Sequence, residues 1–212
     1  KLQPIDNSTA YTNDPNLVAS GKILASNWYT QAATGVGDTK TNPYVISNGM
    51  QLAYLATLVN AGNNFTGKYI SLVGSGTGNC IDLISNGILF YMTSDTAISY
   101  YSCDTDGNGK GWSPIGNTAA NPFNGTIFAG TSDTDTINIY NLSGICSTQS
   151  AYGLFGFLGA NASVNGINMV DTQIFVGPDA TVAKGGSGTI TYEDGTASVG
   201  IGAIAGTCYE NT

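Results

Sequence analysis

The stretch "YGLFGFLG", residues Tyr152–Gly159, has a counterpart further along the chain, "GAIAGTCY", residues Gly202–Tyr209. Both combine small, apolar and aromatic residues around repeated glycines, at an offset of about 50 residues. Self-similarity without helices is typical of stacked β coils, in which each coil buries its inner face against its neighbours. Coils of about 20–25 residues would make the offset two coils. We therefore expect a β-solenoid, and the alternative is a β-sandwich.

Strand-like runs continue this pattern over most of the chain. Short apolar or alternating segments, separated by Gly, Asn, Asp and Ser, predict strands from Tyr69 onwards. These segments are Tyr69–Val73, Ile81–Ile84, Ile88–Met92, Ile98–Tyr101, Thr126–Ala129, Ile137–Leu142, Tyr152–Leu158, Val164–Val170, Gln173–Val176, Thr189–Tyr192 and Ser198–Ala205.

One helix is predicted, within "NPYVISNGMQLAYLATLVNAG". Ser47 or Asn48 is its N-cap, and Gly62 ends it. An apolar stripe at helical spacing is formed by Leu52, Leu55, Leu58 and Val59. The fold class is thus mainly β with one helix on the N-terminal side.

The composition excludes several classes of partner. Charged residues make up 9% of the chain, which contains no histidine and has a net charge of −8. All six basic residues are lysines. Nucleic-acid binding requires clustered Lys and Arg, so we expect no nucleic-acid partner. No apolar run reaches the roughly 20 residues of a membrane span, so we expect no membrane insertion.

An ordered set of short segments carries a resemblance to a known family: Pro43–Ser47, Leu52–Gly62, Gly67–Leu72, Ile81–Leu83, Trp112–Gly116 ("WSPIG"), Pro122–Phe128, Ile139–Leu142, Gly153–Gly156 ("GLFG") and, more weakly, Gly202–Gly206. In this order the segments resemble those of bacterial surface proteins that carry GLUG-type repeats. The resemblance implies a right-handed parallel β-helix, capped by the helix, in a secreted, adhesin-like protein at the cell surface. Two departures stand out. Residues 84–111 form an insertion, and "FAGTSDTDTINI" replaces the family's Asp–Gly–Asn turn.

These observations divide the chain into two parts. Residues 1–41 are expected to be an extended segment, with short strand candidates at Leu17–Ala19 and Ile23–Ala25. Residues 42–212 are expected to form the β-solenoid domain, which carries the insertion at 84–111.

Four widely spaced cysteines indicate disulfides in an oxidising compartment. They are Cys80, Cys103, Cys146 and Cys208. Three connectivities are open, and we favour Cys80–Cys103 with Cys146–Cys208. The first pair would close a single loop of the chain between residues 80 and 103. Without a histidine or a CxxC motif, a zinc site is not expected.

The segment "CDTDGNGK" is a candidate calcium loop. Asp104, Asp106 and Asn108 supply oxygen ligands at alternate positions, as in the first half of an EF-hand loop. The twelfth position, which should be a glutamate, is Ile115, so an EF-hand is excluded. Two interpretations are open: a looser structural Ca²⁺ site, the one cofactor considered, or a plain Gly/Asp turn.

No catalytic arrangement emerges from the sequence, and we expect no enzyme activity. Without histidine, neither a Ser-His-Asp nor a Cys-His arrangement can form. Two carboxylate pairs could in principle serve a glycosidase, Asp133 with Asp135 and Glu193 with Asp194. Both pairs are better interpreted as solvated turns.

Two further kinds of site are candidates. Tyr91, Tyr100 and Tyr101 in the insertion could stack against sugars, and the alternative is a hairpin packed on the flank of the domain. Five N-x-S/T sequons, at Asn7, Asn64, Asn124, Asn141 and Asn161, are candidate glycosylation sites. About four would arise by chance in a chain so rich in Asn, Ser and Thr, so their number is no evidence of glycosylation.

The function expected is a non-enzymatic, extracellular or cell-surface structural or adhesive protein. Its partner would be a host or matrix surface ligand, or copies of itself in a pilus-like fibre. A stack of β coils ends in unpaired backbone edges, and no helix or charged cap follows Gly206. The alternative is a carbohydrate-binding or polysaccharide-degrading protein.

Overall fold

The computed structural model describes residues 27–74, 79–85, 88–94, 97–102, 112–146, 151–176, 180–182, 189–192 and 198–209. These ranges contain two helices, α1 at Asn27–Thr30 and α2 at Gly49–Asn60. They also contain eighteen strands: β1 Tyr44–Ile46, β2 Tyr69–Leu72, β3 Cys80–Asp82, β4 Ile84–Ser85, β5 Ile88–Ser94, β6 Ala97–Ser102, β7 Thr126–Ala129, β8 Ile137–Tyr140, β9 Ser143–Cys146, β10 Ala151–Tyr152, β11 Phe155–Leu158, β12 Ser163–Asn165, β13 Ile167–Val170, β14 Gln173–Val176, β15 Ala180–Val182, β16 Thr189–Tyr192, β17 Ser198–Ile201 and β18 Ala205–Cys208.

The strands form small sheets in which parallel pairing dominates. One sheet has the order β1-β2-β7-β12, and a second has the order β13-β8-β3. Two-stranded parallel sheets join β14 to β9 and β11 to β18. The protein is therefore mainly β, with parallel sheets and few helices.

The expectation of a single right-handed β-solenoid is wrong. The described strands divide into separate sheets of four, four, two, three, two and three strands, not one continuous coil. Strands β4-β5-β6 pair antiparallel, and β15-β16-β17 do the same within a mixed sheet. Antiparallel neighbours need only a short turn, so local pairing costs less loop-closure entropy than another parallel coil. The β-sandwich alternative, which requires antiparallel sheets throughout, does not fit the parallel pairs either.

The two similar stretches lie directly beside each other. Strand β11 pairs with β18 in parallel, with Phe155 opposite Ala205, so the pairing offset equals the sequence offset. The stretches are therefore immediate neighbours. The expectation from the repeat length, that they lie two coils apart, is wrong. The glycines permit close approach: a Cβ atom on Gly156 would lie 2.5 Å from the carbonyl oxygen of Gly116.

Helix α2 is capped and oriented as the sequence predicts. Asn48 is the N-cap, and its side chain accepts a hydrogen bond from the Gln51 backbone N–H at 3.0 Å. Of the predicted apolar stripe, Leu52, Leu55 and Val59 are fully buried. Gly62, with φ of +103°, follows the helix, as expected for a residue that lets the chain turn away.

A column of aromatic rings runs through the core across successive layers of chain. Trp28 of α1 stacks on Phe65 with a centroid distance of 6.2 Å. Phe65 lies 6.4 Å from Phe123, which lies 5.3 Å from Phe155 of β11. These offset and tilted contacts are the favoured geometries for aromatic pairs. The column joins α1 to the central strands.

The "WSPIG" turn packs into the hydrophobic core. Trp112 is 2% exposed, and its indole N–H donates to the carbonyl oxygen of Leu154 at 3.1 Å. The Tyr152 hydroxyl donates to the carbonyl oxygen of Trp112. Ile115 is fully buried and forms a parallel bridge to Phe155. The turn thus fixes the chain where it leaves the insertion.

Candidate functional site

The most prominent feature that could serve function is an unpaired sheet edge. Residues 163–176 hold β12, β13 and β14, which lie alongside β7, β8 and β9 in matching order. No strand in the described part of the chain pairs with the other side of this layer. We call the outer side of β12, β13 and β14 the open edge.

Two core-facing residues of this layer are incompletely covered, whereas a third, Ile167, is buried. In the layer beneath, Ile127 and Ile139 are fully buried. Their strand partners Val164 and Met169 are only partly buried, although they pack on the same core. Burial at these two pairs of positions thus decreases from complete to partial within one strand spacing. Apolar surface is left at the open edge, which favours the addition of another layer.

The backbone of this layer also directs hydrogen-bonding groups outward. The carbonyl oxygens of Gly166 and Val170 accept from the N–H groups of Ile137 and Asn141 at 2.8 and 3.0 Å. Because bonding alternates along a parallel strand, Ile167 and Met169 direct their N–H and C=O groups to the open edge.

β12 behaves in the same way. The Ser163 N–H donates to the carbonyl oxygen of Gly125 at 3.0 Å, on the β7 side. By the same alternation, Val164 directs its backbone groups outward. Buried strand groups need partners, so a strand laid along this edge would find donors and acceptors already aligned.

The open edge lacks the devices that normally protect such edges. Natural edge strands carry lysines, prolines or bulges, which prevent unwanted pairing. Residues 163–176 contain no lysine and no proline, and their one charged residue is Asp171. The sequence predicted a single strand over Val164–Val170, whereas Gly166, with φ of +72°, separates β12 from β13. The sequence signal that could have identified this edge was the absence of protecting residues.

The candidate calcium ligands Asp104, Asp106 and Asn108 lie outside the described residues, so the calcium loop stays a prediction. Among the side chains that are described, no three His, Cys, Asp or Glu residues form a group that could hold a metal ion. Asp82, in β3, accepts a hydrogen bond from the Asn141 side chain at 2.9 Å.

The pair Asp133 and Asp135 lies in a solvated turn, as predicted. Asp135 accepts from the backbone N–H groups of Thr131 and Ser132 at 2.8 and 2.9 Å, and these bonds lower the pKa of its carboxyl group. Asp133 forms an exposed ion pair with Lys40. Each carboxylate thus supports the local structure. The second pair, Glu193 and Asp194, lies outside the described residues.

Lys40 and a second lysine help to hold the surface around β2 and β7. The Lys40 ammonium lies 5.3 Å from the centroid of the Phe128 ring, a cation–π distance. Lys68 forms an ion pair with Asp38, and the hydrogen bond between the two side chains raises the pKa of Lys68. Nearby, burial raises the pKa of the Tyr44 hydroxyl.

The insertion forms the predicted hairpin, in an antiparallel sheet of β4, β5 and β6. In its register Phe90 faces Tyr100 and Leu89 faces Tyr101. Positions alternate along a strand, so Tyr91 and Tyr101 belong to one face and Tyr100 to the other. Sugar stacking by these tyrosines stays a prediction.

The cysteine pairing also stays a prediction. Cys80 lies in β3, Cys146 in β9 and Cys208 in β18, and these strands belong to three different sheets. No disulfide joins cysteines within the described residues. Cys103 lies outside them, and the favoured pairs are therefore not tested.

The sequons differ in accessibility. Asn64 and Asn161 are exposed, whereas Asn124 and Asn141 are partly buried. Asn7 lies outside the described residues. The Asn64 side chain accepts hydrogen bonds from the Thr66 N–H at 3.0 Å and from its hydroxyl at 2.9 Å. Glycosylation at any of these sites stays a prediction.

A small recess of about 140 Å³ lies between α2 and the Trp112–Asn117 segment. Asn60, on its wall, accepts from the Asn117 N–H at 2.8 Å and donates to the carbonyl oxygen of Pro114 at 3.1 Å. Its side-chain amide thus holds the turn against the helix. The sequence did not single out Asn60, because its partners are more than fifty residues away.

Comparisons of the chain with protein-family models, with curated proteins and with solved structures found no match in any of the three. None of the helices in the described ranges is long and apolar enough to cross a membrane.

Proposed function

We propose that this chain is a non-enzymatic structural protein of the extracellular space or cell surface, and that it self-associates through the open edge. The observation that carries the proposal is the combination at β12–β14 of outward backbone groups, partly exposed apolar residues and the absence of lysine and proline. In a fibre or oligomer whose subunits join at this edge, the outward backbone groups would find partners and the apolar residues would be covered. No lysine or proline on the edge would oppose the contact.

The chemistry of the described side chains favours a structural role over a catalytic one. Asp38 and Asp133 pair with lysines, Asp82 bonds Asn141, and Asp135 bonds backbone N–H groups. Each of these aspartates is engaged in local structure. The 212 residues include no histidine or arginine that could carry a proton or bind an anion instead.

The surroundings of the protein are proposed from its composition and from its resemblance to GLUG-type surface proteins. Charged residues are scarce, at 9%, and lysine is the only basic type. Scarce charge leaves few charged groups to be desolvated where two copies meet. The wide spacing of four cysteines suits an oxidising, extracellular compartment.

Sedimentation velocity of the purified full chain over a concentration series, with electron microscopy of the same samples, tests the proposal. We expect species larger than the monomer whose share increases with concentration. A strictly monomeric chain at every concentration would contradict self-association.

A second measurement tests the absence of catalysis and of carbohydrate recognition. The full chain is incubated with a panel of polysaccharides and applied to a glycan array. We expect no new reducing ends and no bound glycan. Release of reducing ends would overturn the non-enzymatic assignment, and specific glycan binding would support the carbohydrate-binding alternative.

A further inference from the structure

We propose that the occupant of the open edge is residues 1–26 of a second copy of this chain, which add a strand along β12, β13 and β14. This inference rests on the proposed function, because it names the partner at the same edge. It assigns a donor segment and an acceptor edge to each copy.

The first argument is the apolar pattern of the donor segment. Residues 1–26 contain two short apolar runs, Leu17–Ala19 and Ile23–Ala25, among polar neighbours. Such runs suit the partly exposed apolar side chains of Val164 and Met169 at the open edge. A chain of 26 residues extends up to about 85 Å, which is ample reach to a neighbouring copy.

The second argument is charge. The charged residues of the segment 1–26 are two lysines and two aspartates: Lys1, Lys22, Asp6 and Asp14. Its net charge is therefore zero, and residues 27–212 carry the entire −8. Two folded bodies of that charge repel each other. A neutral segment can approach an acidic neighbour without this repulsion, and the acceptor layer itself holds a single charge, Asp171.

The third argument is the place where the donor segment joins the fold. It leads into Asn27, the first residue of α1. Trp28 of α1 packs on Tyr44 of β1 at 5.6 Å and on Tyr54 of α2 at 6.5 Å. β1 and β12 are the two outer strands of one four-stranded sheet, about 14 Å apart. The donor segment therefore leaves from the end opposite the open edge, as head-to-tail addition requires.

The α1 region also shows signs of an incomplete environment. The indole Nε1 of Trp28 and the side-chain oxygen of Asn27 are buried, and neither has a hydrogen-bond partner among the described residues. Buried polar groups normally have partners. A second copy that joins through the donor segment approaches this end head-to-tail. Because such a contact is heterologous and does not close on itself, it would generate an extended chain of copies.

Two full-length variants separate donor from acceptor. In the donor variant, Val18→Pro with Leu24→Pro, both apolar runs lose a backbone donor and are poorly suited to strand pairing. In the acceptor variant, Met169→Lys, a charge lies at a core-facing position of the open edge, which blocks edge pairing. We expect each variant alone to lose association by at least about 100-fold relative to the unmodified chain.

Mixing the two variants gives the decisive result. The acceptor variant keeps an intact donor segment, and the donor variant keeps an intact open edge. An equimolar mixture should therefore form heterodimers that cannot grow, visible in sedimentation velocity as one dimer boundary. A mixture that remains monomeric would overturn the proposal, because the segment then does not act between copies.

Matched controls address folding and nonspecific effects. Ala119→Lys adds the same charge at an exposed position outside the open edge and should assemble as the unmodified chain does. Ser8→Pro with Asn13→Pro adds two prolines outside the apolar runs and should also assemble. Loss of assembly in either control would contradict the assignment of sites.

Hydrogen exchange provides a readout that does not depend on the folding of the acceptor variant. The amides of Ile167 and Met169 should exchange slowly in the unmodified assembly and at least about tenfold faster in the donor variant. If the unmodified chain assembles and the donor variant assembles equally well, the donor assignment fails while the proposed function stands. If the unmodified chain is monomeric, the proposed function fails as well.

Discussion

The two ends of this protein bury similar residues to different extents. At the end formed by α1, α2 and β1, which we call the closed end, Leu52, Leu55 and Val59 are fully buried. At the open edge, Val164 and Met169 remain partly exposed. The difference lies in the element that terminates each end. A helix satisfies its own backbone groups and can end a stack of strands, whereas a final strand cannot.

This comparison also separates stability from interaction. The closed end has a capped helix, a ring column and the hydrogen bonds of Asn60. The open edge has outward backbone groups and no protecting lysine or proline. The closed end therefore contributes most to the stability of the fold, whereas the open edge is the surface at which we propose self-association.

The largest expected difference comes from truncating one core residue at each end. Leu55→Ala removes a fully buried side chain and should lower the free energy of unfolding by about 2–5 kcal/mol. Met169→Ala removes a partly exposed one and should cost about 1 kcal/mol in the monomer. Urea unfolding followed by tryptophan fluorescence measures both. Equal losses would break the comparison, because Met169 would then be as well covered as Leu55.

A second prediction concerns the contact between α2 and the "WSPIG" turn. Asn60→Ala removes the bonds to the Asn117 N–H and the Pro114 carbonyl oxygen and should cost about 1–3 kcal/mol. Asn117→Ala is the control, because the bond to Asn60 uses its backbone N–H, and it should change stability by less than about 0.5 kcal/mol. Equal effects of the two substitutions in urea unfolding would show that the Asn60 amide is not the anchor.

The N-cap of α2 offers a smaller test of the closed end. Asn48→Ala removes the acceptor for the Gln51 N–H and should lower stability by about 1 kcal/mol. Asn48→Ser keeps a neutral cap acceptor at this buried position and should retain most of the stability. Thermal unfolding followed by far-UV circular dichroism distinguishes them. If alanine and serine behave alike, the cap does not contribute.

The smallest effect is expected at Asp135, in the turn after β7. Its pKa is lowered by the N–H groups of Thr131 and Ser132, so its contribution to stability is present above the unfolded pKa of about 3.9. That contribution is lost as the pH falls through the folded pKa. Asp135→Asn should therefore lower the melting temperature slightly at pH 7 and hardly at all at strongly acidic pH. A difference between the two proteins that is independent of pH would contradict this account.

Local features of the fold were predictable from the sequence. The helix follows from the cap at Asn48, the apolar stripe and Gly62, which all act within a few residues. Strands β7, β14 and β16 match their predicted bounds. Several predicted runs divide into two strands, because glycine bends interrupt an apolar pattern that looks continuous. Strands β1, β9 and β15 were not predicted as strands, since each is too short or too polar to stand out.

The candidate site was less predictable. Apolar residues at 164, 167 and 169 indicated a strand, and the expected C-terminal opening was placed after Gly206. β12, β13 and β14 pair with described strands on one side alone, and this became visible when their partners β7, β8 and β9 were known. A local pattern reports which face of a strand is apolar, but not whether another strand covers its edge.

The sequence by itself determined a mainly β protein with one capped helix, few charges and two stretches that resemble each other. These properties follow from local periodicity, caps and composition. Only the tertiary structure decided that β11 and β18 are direct neighbours, that the strands divide into separate sheets and that, among the described strands, none pairs with the outer side of β12–β14. The physical reason is that strand pairing is formed by backbone groups that every residue carries, so the choice of partner depends on the whole chain.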